Sequence, residues 1–389
     1  MAGPDTSVYV HFPWCLSKCP YCDFATRAVD AQEVLHERYA DAVLRELEAR
    51  APALHDRRLV SVFFGGGTPS LWDPGALARV LSGVRAAFQA ETEELEVTVE
   101  CNPSSLDGAK AAALHRAGVN RLSLGVQSLD DAHLSHLGRR HDAATAVRAV
   151  REARSEMPRV SADLMFGMPG QTPATLAREA RRLLDLGLGH VSAYALTIEP
   201  GTRFGELHRK GKLPVADDDT YADLFEALAH TFAEAGLAHY EVSNYARPGE
   251  EARHNLHYWR GGDYLGLGAA AVGCTVGTPG HARRWRNQPD PRRYMEAPVG
   301  GGPAAFEAWE EHLDAETLVR EALMLGLRTR EGLDLEATRV RAGADPEAPP
   351  RDAALRRATA RGDLLREAGR LRVPQDRWLR LDAIVADLF

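Results

Sequence analysis

Three cysteines, Cys15, Cys19 and Cys22, crowd into eight positions, and their spacing C-x3-C-x2-C puts three thiols on one short loop. Thiolates at that spacing can wrap a single soft metal centre. The whole chain of 389 residues has five cysteines, an odd number concentrated at one end, which is no disulfide framework. A structural zinc ion needs a fourth ligand to close its tetrahedron, and His11 is the neighbour that could supply it. Three thiolates also suit a four-iron cluster with one iron left open to a substrate or cofactor. A second feature is Gly65-Gly66-Gly67-Thr68-Pro69. Alone it is a flexible turn, but following a strand it leaves backbone groups open to a ligand.

Short runs rich in β-branched residues must position these groups. They cover 8–12, 59–64, 95–100, 121–126, 160–166, 191–196 and 239–242, with helical patterns in most of the gaps. Over 32–50, Leu35, Tyr39, Val43 and Leu47 repeat every four residues and mark one apolar helix face. Asp73-Pro74, Asp107, Asp142 and Thr172-Pro173 read as helix starts. Strand and helix alternating six or seven times predict a parallel sheet with right-handed crossovers, doubly wound or rolled into a whole or partial barrel. The glycine strip, Glu100, Gln127 and Asp163 fall just after or near the ends of strands, which predicts one shared mouth at the carboxyl ends.

Lys plus Arg number 47 against 55 Asp plus Glu, a formal net charge of −8, so no broad basic surface for nucleic acid is expected. The start, MAGPDTSVYVHF, has no signal-peptide pattern, and no apolar run approaches a membrane span, so a soluble cytoplasmic protein is expected. After Gly280 the texture changes. A Pro, Arg and Gly-rich passage over 283–303 reads as a linker or wrapping loop, 310–327 as a helix, and the remainder as helices with a short strand pair over 364–373. The expected organisation is a barrel over 1–245, a linking segment over 246–305 and a small, mainly helical, winged-helix-like domain over 306–389.

The C-x3-C-x-aromatic-C loop after a first strand, with Gly-Gly-Gly-Thr-Pro after the second, resembles the radical S-adenosylmethionine superfamily. The resemblance narrows to the group of oxygen-independent coproporphyrinogen III oxidases (HemN) and haem chaperones (HemW). It runs through Tyr9-Val-His11-Phe-Pro13, Glu100-Cys-Asn-Pro103, Gly125-Val-Gln127-Ser and the run from Asp163 to Gly170. It implies a partial (β/α)6 TIM-like barrel and a [4Fe–4S] cluster on Cys15, Cys19 and Cys22. It further implies an S-adenosylmethionine pocket lined by Tyr9, Gly66, Gly67, Thr68, Glu100, Gln127, Arg139 and Asp163, with Tyr21 beside the third cysteine. Carboxylates such as Glu100 and Asp163 can hold an ammonium or a ribose diol, and Arg139 can fork to a carboxylate.

Within that group two features divide oxidase from chaperone. The oxidases have a further cysteine two residues after the third, where this chain has Phe24, and a longer N-terminal arm than the 14 residues before Cys15. His254-Asn255-Leu256-His257-Tyr258-Trp259 matches the H-N-x-x-Y-W signature of the chaperones. An imidazole is a strong axial ligand for haem iron, and Tyr and Trp offer flat faces to a macrocycle. Without the resemblance, His254 reads as well as a histidine capping a turn. With it, His254 is the expected haem ligand, on a loop exposed enough to reach the porphyrin, and His257 is a weaker second candidate. The resemblance implies haem delivery to acceptor haemoproteins such as those of the respiratory chain. The alternative is an oxygen-independent coproporphyrinogen III dehydrogenase that works through a 5′-deoxyadenosyl radical.

Overall fold

A computed structural model describes residues 4–54, 56–88 and 95–389, so residues 1–3 of the expected barrel segment lie outside the described residues. The apolar runs become strands β1 (Asp5–Phe12), β2 (Arg58–Gly66), β3 (Glu96–Cys101), β4 (Arg121–Gln127), β5 (Arg159–Phe166) and β6 (His190–Ala195). Each of these pairs with the next in parallel, and helices cross between successive strands. The main crossover helices are α1 (His36–Arg50), α2 (Pro74–Phe88), α3 (Gly108–Arg116), α4 (Asp131–His136), α5 (Ala143–Glu156) and α6 (Pro173–Leu184). Asp107, Asp142 and Thr172 cap α3, α5 and α6 by accepting from backbone N–H groups, as their sequence positions predict.

The sheet continues on both flanks. Beyond β6, α7 (Arg203–Arg209) and α8 (Asp218–Glu234) lead to β7 (Ala238–Glu241), which turns back against β8 (Asn244–Ala246) in an antiparallel pair rather than adding a seventh parallel strand. Helix α9 (Arg253–Trp259) then carries the chain to β9 (Asp263–Leu267), which lies parallel to β1. Strands β10 (Val272–Thr278), β11 (His281–Asn287) and β12 (Glu307–Leu313) extend that edge, giving twelve strands in the order β12-β11-β10-β9-β1-β2-β3-β4-β5-β6-β8-β7.

The passage expected as a linker therefore contains sheet. Strand β11 and helix α10 (Pro291–Met295) occupy much of 283–303, and β12 replaces the start of the helix expected over 310–327. Their outward positions hold charges that pair across strands, Arg283 with Glu310 and Glu307, Arg284 with Glu311, so no apolar alternation marks them. Helix α11 (Ala315–Gly326), capped by Asp314, opens the C-terminal part. That part is mainly helical, with three short strands, and has its own cluster of buried residues, including Leu323, Leu355, Trp378 and Ile384.

Alternation within the six parallel strands positions the site. Val8, Val10, Val62, Phe64, Val97, Val99, Leu122 and Leu124 are fully buried in the main hydrophobic cluster. Their alternates face the opposite way, into the barrel: Ser7, Tyr9 and His11 on β1, Ser61 and Phe63 on β2, Glu96 and Glu100 on β3, Arg121 and Ser123 on β4, Asp163 on β5, His190 and Ser192 on β6. Barrels of this kind usually fill their interior with branched apolar side chains. Here the interior is polar.

Candidate functional site

The cysteine loop begins where β1 ends. Residues Trp14–Cys15 pair with Arg27–Ala28, and the Val29 N–H donates to the Cys15 carbonyl at 2.9 Å, closing the loop on itself. The glycine strip docks on its base: Gly67 N–H donates to the Phe12 carbonyl at 2.7 Å and Thr68 N–H to the Trp14 carbonyl at 2.8 Å. The thiols of Cys15, Cys19 and Cys22 are free and half-buried. Burial pushes the Cys15 and Cys22 thiols above the ordinary range, and the charge of Cys19 pushes both the same way. Among the described residues no three His, Cys, Asp or Glu side chains are gathered closely enough to hold a metal ion.

Inside the barrel, from Arg121, His190 and His254 at the amino ends of the strands to Gly66 and Glu100 at the carboxyl ends, lies a cavity of about 610 Å³, within the usual range for small-molecule sites. Tyr9, Gly66, Glu100 and Asp163 line it, and so do His254, Tyr258 and Trp259, so two sets of residues from distant parts of the sequence meet there. Burial, then the charge of Asp163, pushes the Glu100 carboxyl up to about 8, while the Gly66 N–H donates to its Oε2 at 3.0 Å. Burial also raises Asp163, whose Oδ1 accepts from the Ser123 hydroxyl at 3.2 Å. Phe24, 59% exposed, stands at the rim.

Gly66 has φ +107°, and a Cβ there would lie 2.5 Å from the His11 ring. At Gly67 a Cβ would lie 2.4 Å from the Trp14 carbonyl oxygen. The strip is thus bare because β1 and the cysteine loop pack against it, in addition to any room it gives a ligand.

The remaining residues expected around the same ligand do not all open on this cavity. Thr68, Arg139 and Cys19 line a separate small cleft. Arg139 bridges the cysteine loop to β4, donating at 2.7 Å to the Gly125 carbonyl, at 3.5 Å to the Tyr21 hydroxyl and at 3.6 Å to Cys19 Sγ. Its Nε is buried and, among the described residues, has no partner. Tyr21 also packs on Phe204, with ring centroids 6.4 Å apart. Gln127 ends β4 with φ +67°, a left-handed conformation uncommon outside glycine and frequent at functional sites.

His254 departs from expectation. It lies in the first turn of α9, not on an exposed loop, and is only 4% exposed. Glu96 fixes the start of that helix, its carboxylate accepting from the N–H groups of Arg253 and His254 at 3.2 and 3.0 Å. The imidazole stacks on Phe63 with ring centroids 4.8 Å apart, and its Nδ1 lies 2.9 Å from Ser61 Oγ. Burial lowers its pKa to about 3, so the ring is neutral. His257 points away, with Nε2 2.7 Å from the Asp263 carbonyl, and does not line the cavity. Sequence reasoning passed over Ser61, Glu96, Arg121 and His190. The available signal was strand alternation, since each lies two or four residues from another inward-facing position.

The chain matches the model of the radical SAM superfamily over residues 9–198 and that of the HemN C-terminal domain over 313–379. It is 40% identical to the haem chaperone HemW of Escherichia coli K12 over 294 residues, 75% of this chain and 76% of the relative. It is 39% identical to HemW of Mycobacterium tuberculosis over 337 residues, 86% of this chain and 84% of the relative. The mitochondrial radical S-adenosyl methionine domain-containing protein 1 of mouse is 39% identical over 339 residues, 85% of this chain and 75% of the relative. The solved structure of coproporphyrinogen III oxidase (HemN) from E. coli superposes with a TM-score of 0.80 at 20% identity, covering 100% of this chain and 91% of that one.

Proposed function

The chain belongs to the HemW family of the radical S-adenosylmethionine superfamily, and from that membership we propose that it is a cytoplasmic haem chaperone. It holds a [4Fe–4S] cluster and S-adenosylmethionine at the barrel mouth, binds haem and delivers it to acceptor haemoproteins. The observation that carries the reading is the shared cavity, where Tyr9, Gly66, Glu100 and Asp163 meet His254, Tyr258 and Trp259.

Cys15, Cys19 and Cys22 would hold the cluster, which supplies an open iron site and an electron-transfer centre. Arg139, with a buried Nε to spare, suits a ligand carboxylate. Glu100 is protonated near neutrality, and a cationic group placed beside it would return its charge and gain a partner. His254 is neutral at physiological pH, the form in which imidazole binds iron. With Nδ1 against Ser61, Nε2 is the nitrogen left for an axial bond, and the hydroxyl orients the ring. The rings of Tyr258 and Trp259 offer faces to a planar macrocycle.

The fold of HemN is shared, and at 20% identity the likeness carries fold alone. Phe24 occupies the position of the oxidases' additional cysteine. In a transfer assay, reconstituted protein loaded with haem should pass it to an apo-haemoprotein, and should form no protoporphyrinogen IX from coproporphyrinogen III. Product formed faster than in a cluster-free control would make the protein a dehydrogenase instead.

A further inference from the structure

Arg121 begins β4 on the inner face of the barrel, lines the cavity and is only 3% exposed. Among the described residues its guanidinium has no hydrogen bond and no ion pair. Its neighbour in register on β5, Arg159, shows what a satisfied arginine looks like here: it donates to the carboxylates of Glu96 and Glu250 and to the Glu251 carbonyl. A guanidinium has five N–H donors and cannot shed its charge. The charge of Arg121 reaches Asp163 on the same cavity wall and opposes the rise of its carboxyl, but the two make no ion pair, so the guanidinium has no contacting carboxylate.

Two neighbours share the deficit. His190, on the cavity wall, has Nε2 2.8 Å from the Tyr240 hydroxyl but leaves Nδ1 buried without a partner among the described residues. Thr98, in register with Arg121 on β3, leaves Oγ1 buried in the same condition. Water could satisfy the imidazole and the hydroxyl. It would leave the guanidinium without a contacting carboxylate, which an anionic ligand would supply.

We propose that Arg121, with His190 beside it, anchors a carboxylate of the ligand that enters this cavity. A haem propionate and the carboxylate of S-adenosylmethionine both have that chemistry, and the haem source rests on the function proposed above. The planar fork of the guanidinium suits bidentate contact with a carboxylate.

The test uses reconstituted protein and the variants Arg121→Met and Arg121→Lys, titrated with haem, haem dimethyl ester and S-adenosylmethionine. Arg121→Met should bind haem about tenfold more weakly or worse, the size of effect expected for a lost charge-assisted contact. Arg121→Lys should recover part of that loss. The dimethyl ester, which lacks the carboxylates, should bind native and variant alike, and iron and sulfide content should not change. Because the ligand-free chain gives this guanidinium no hydrogen bond and no ion pair, ligand-free Arg121→Met should melt at or above the native temperature. Weakened S-adenosylmethionine binding with unchanged haem binding supports the anchor and assigns the carboxylate to the other source. Native protein that binds no haem ends the chaperone reading, while the S-adenosylmethionine titration still decides this one. Unchanged affinity for both acids overturns the proposal, as does a lower melting temperature with both ligands lost alike.

Discussion

Glu100 and His254 face one cavity with protonation equilibria displaced in opposite senses. Burial first, then the charge of Asp163, moves the Glu100 carboxyl from 4.5 to about 8. Between those values the folded chain binds more protons than the unfolded one, so this group's contribution lowers stability as pH rises through the window. Chemical denaturation of ligand-free Glu100→Gln should show the variant gaining on the native protein from pH 5 to pH 8, and a constant difference would contradict the assignment. For His254 the sign reverses: burial lowers it from 6.5 to about 3, so stability is lost as pH falls through that range. Gly66 belongs to the same scale. With φ +107° and the His11 ring 2.5 Å from any Cβ, Gly66→Ala should lose about 1 to 3 kcal/mol of stability, measured by denaturant titration, before any ligand is added. Loss of ligand binding in that variant would therefore report backbone strain as well as a blocked pocket. Reading the sequence alone assigns the glycines to a ligand and misses the neighbour, because the register that sets His11 of β1 beside the glycine strip of β2 is a tertiary fact.

Helix α9 is the element on which the haem reading turns, and Glu96 holds it. That carboxylate accepts from the Arg253 and His254 N–H groups and pairs with Arg159 at 2.8 Å. Removing a buried carboxylate from such a network leaves Arg159 and the helix start short of partners. Glu96→Gln should destabilise the protein by about 3 kcal/mol, with faster hydrogen exchange over 253–259 than in α2. Equal exchange in both helices would show that α9 does not depend on this cap. The parallel strands and helix caps of the barrel were legible because apolar runs, Asp or Thr caps and first-turn prolines all agree there. Strands β11 and β12 were not. Their exposed positions carry Arg and Glu that satisfy each other across the ladder, which in one dimension looks like a charged loop. The seventh apolar run was seen as a strand, but its antiparallel turn depends on pairing with β8, which the run itself does not encode.

At the scale of the molecule, β9 lies parallel to β1 with Asp263 beside Thr6, so the 254–259 segment before β9 sits at the amino ends of the strands. Cys15–Cys22 follow β1 at the carboxyl ends, and the interior cavity spans the distance between them. Sequence motifs marked both ends of that arrangement and could not show that they share a cavity. They also could not show that His254 is buried, since exposure was inferred from a preceding loop and the structure makes that loop the lead into a helix. Among the described residues no helix is long and apolar enough to cross a membrane. The central claim is that His254 coordinates haem inside the cavity that runs through the barrel from α9 to the glycine strip. Anaerobic haem titration of reconstituted native and His254→Ala proteins, followed at the Soret band with iron and sulfide measured in parallel, tests it most directly. The account predicts a Soret shift in the native protein that is lost or much weakened in His254→Ala at equal cluster content. An identical shift and affinity in the two proteins would contradict it.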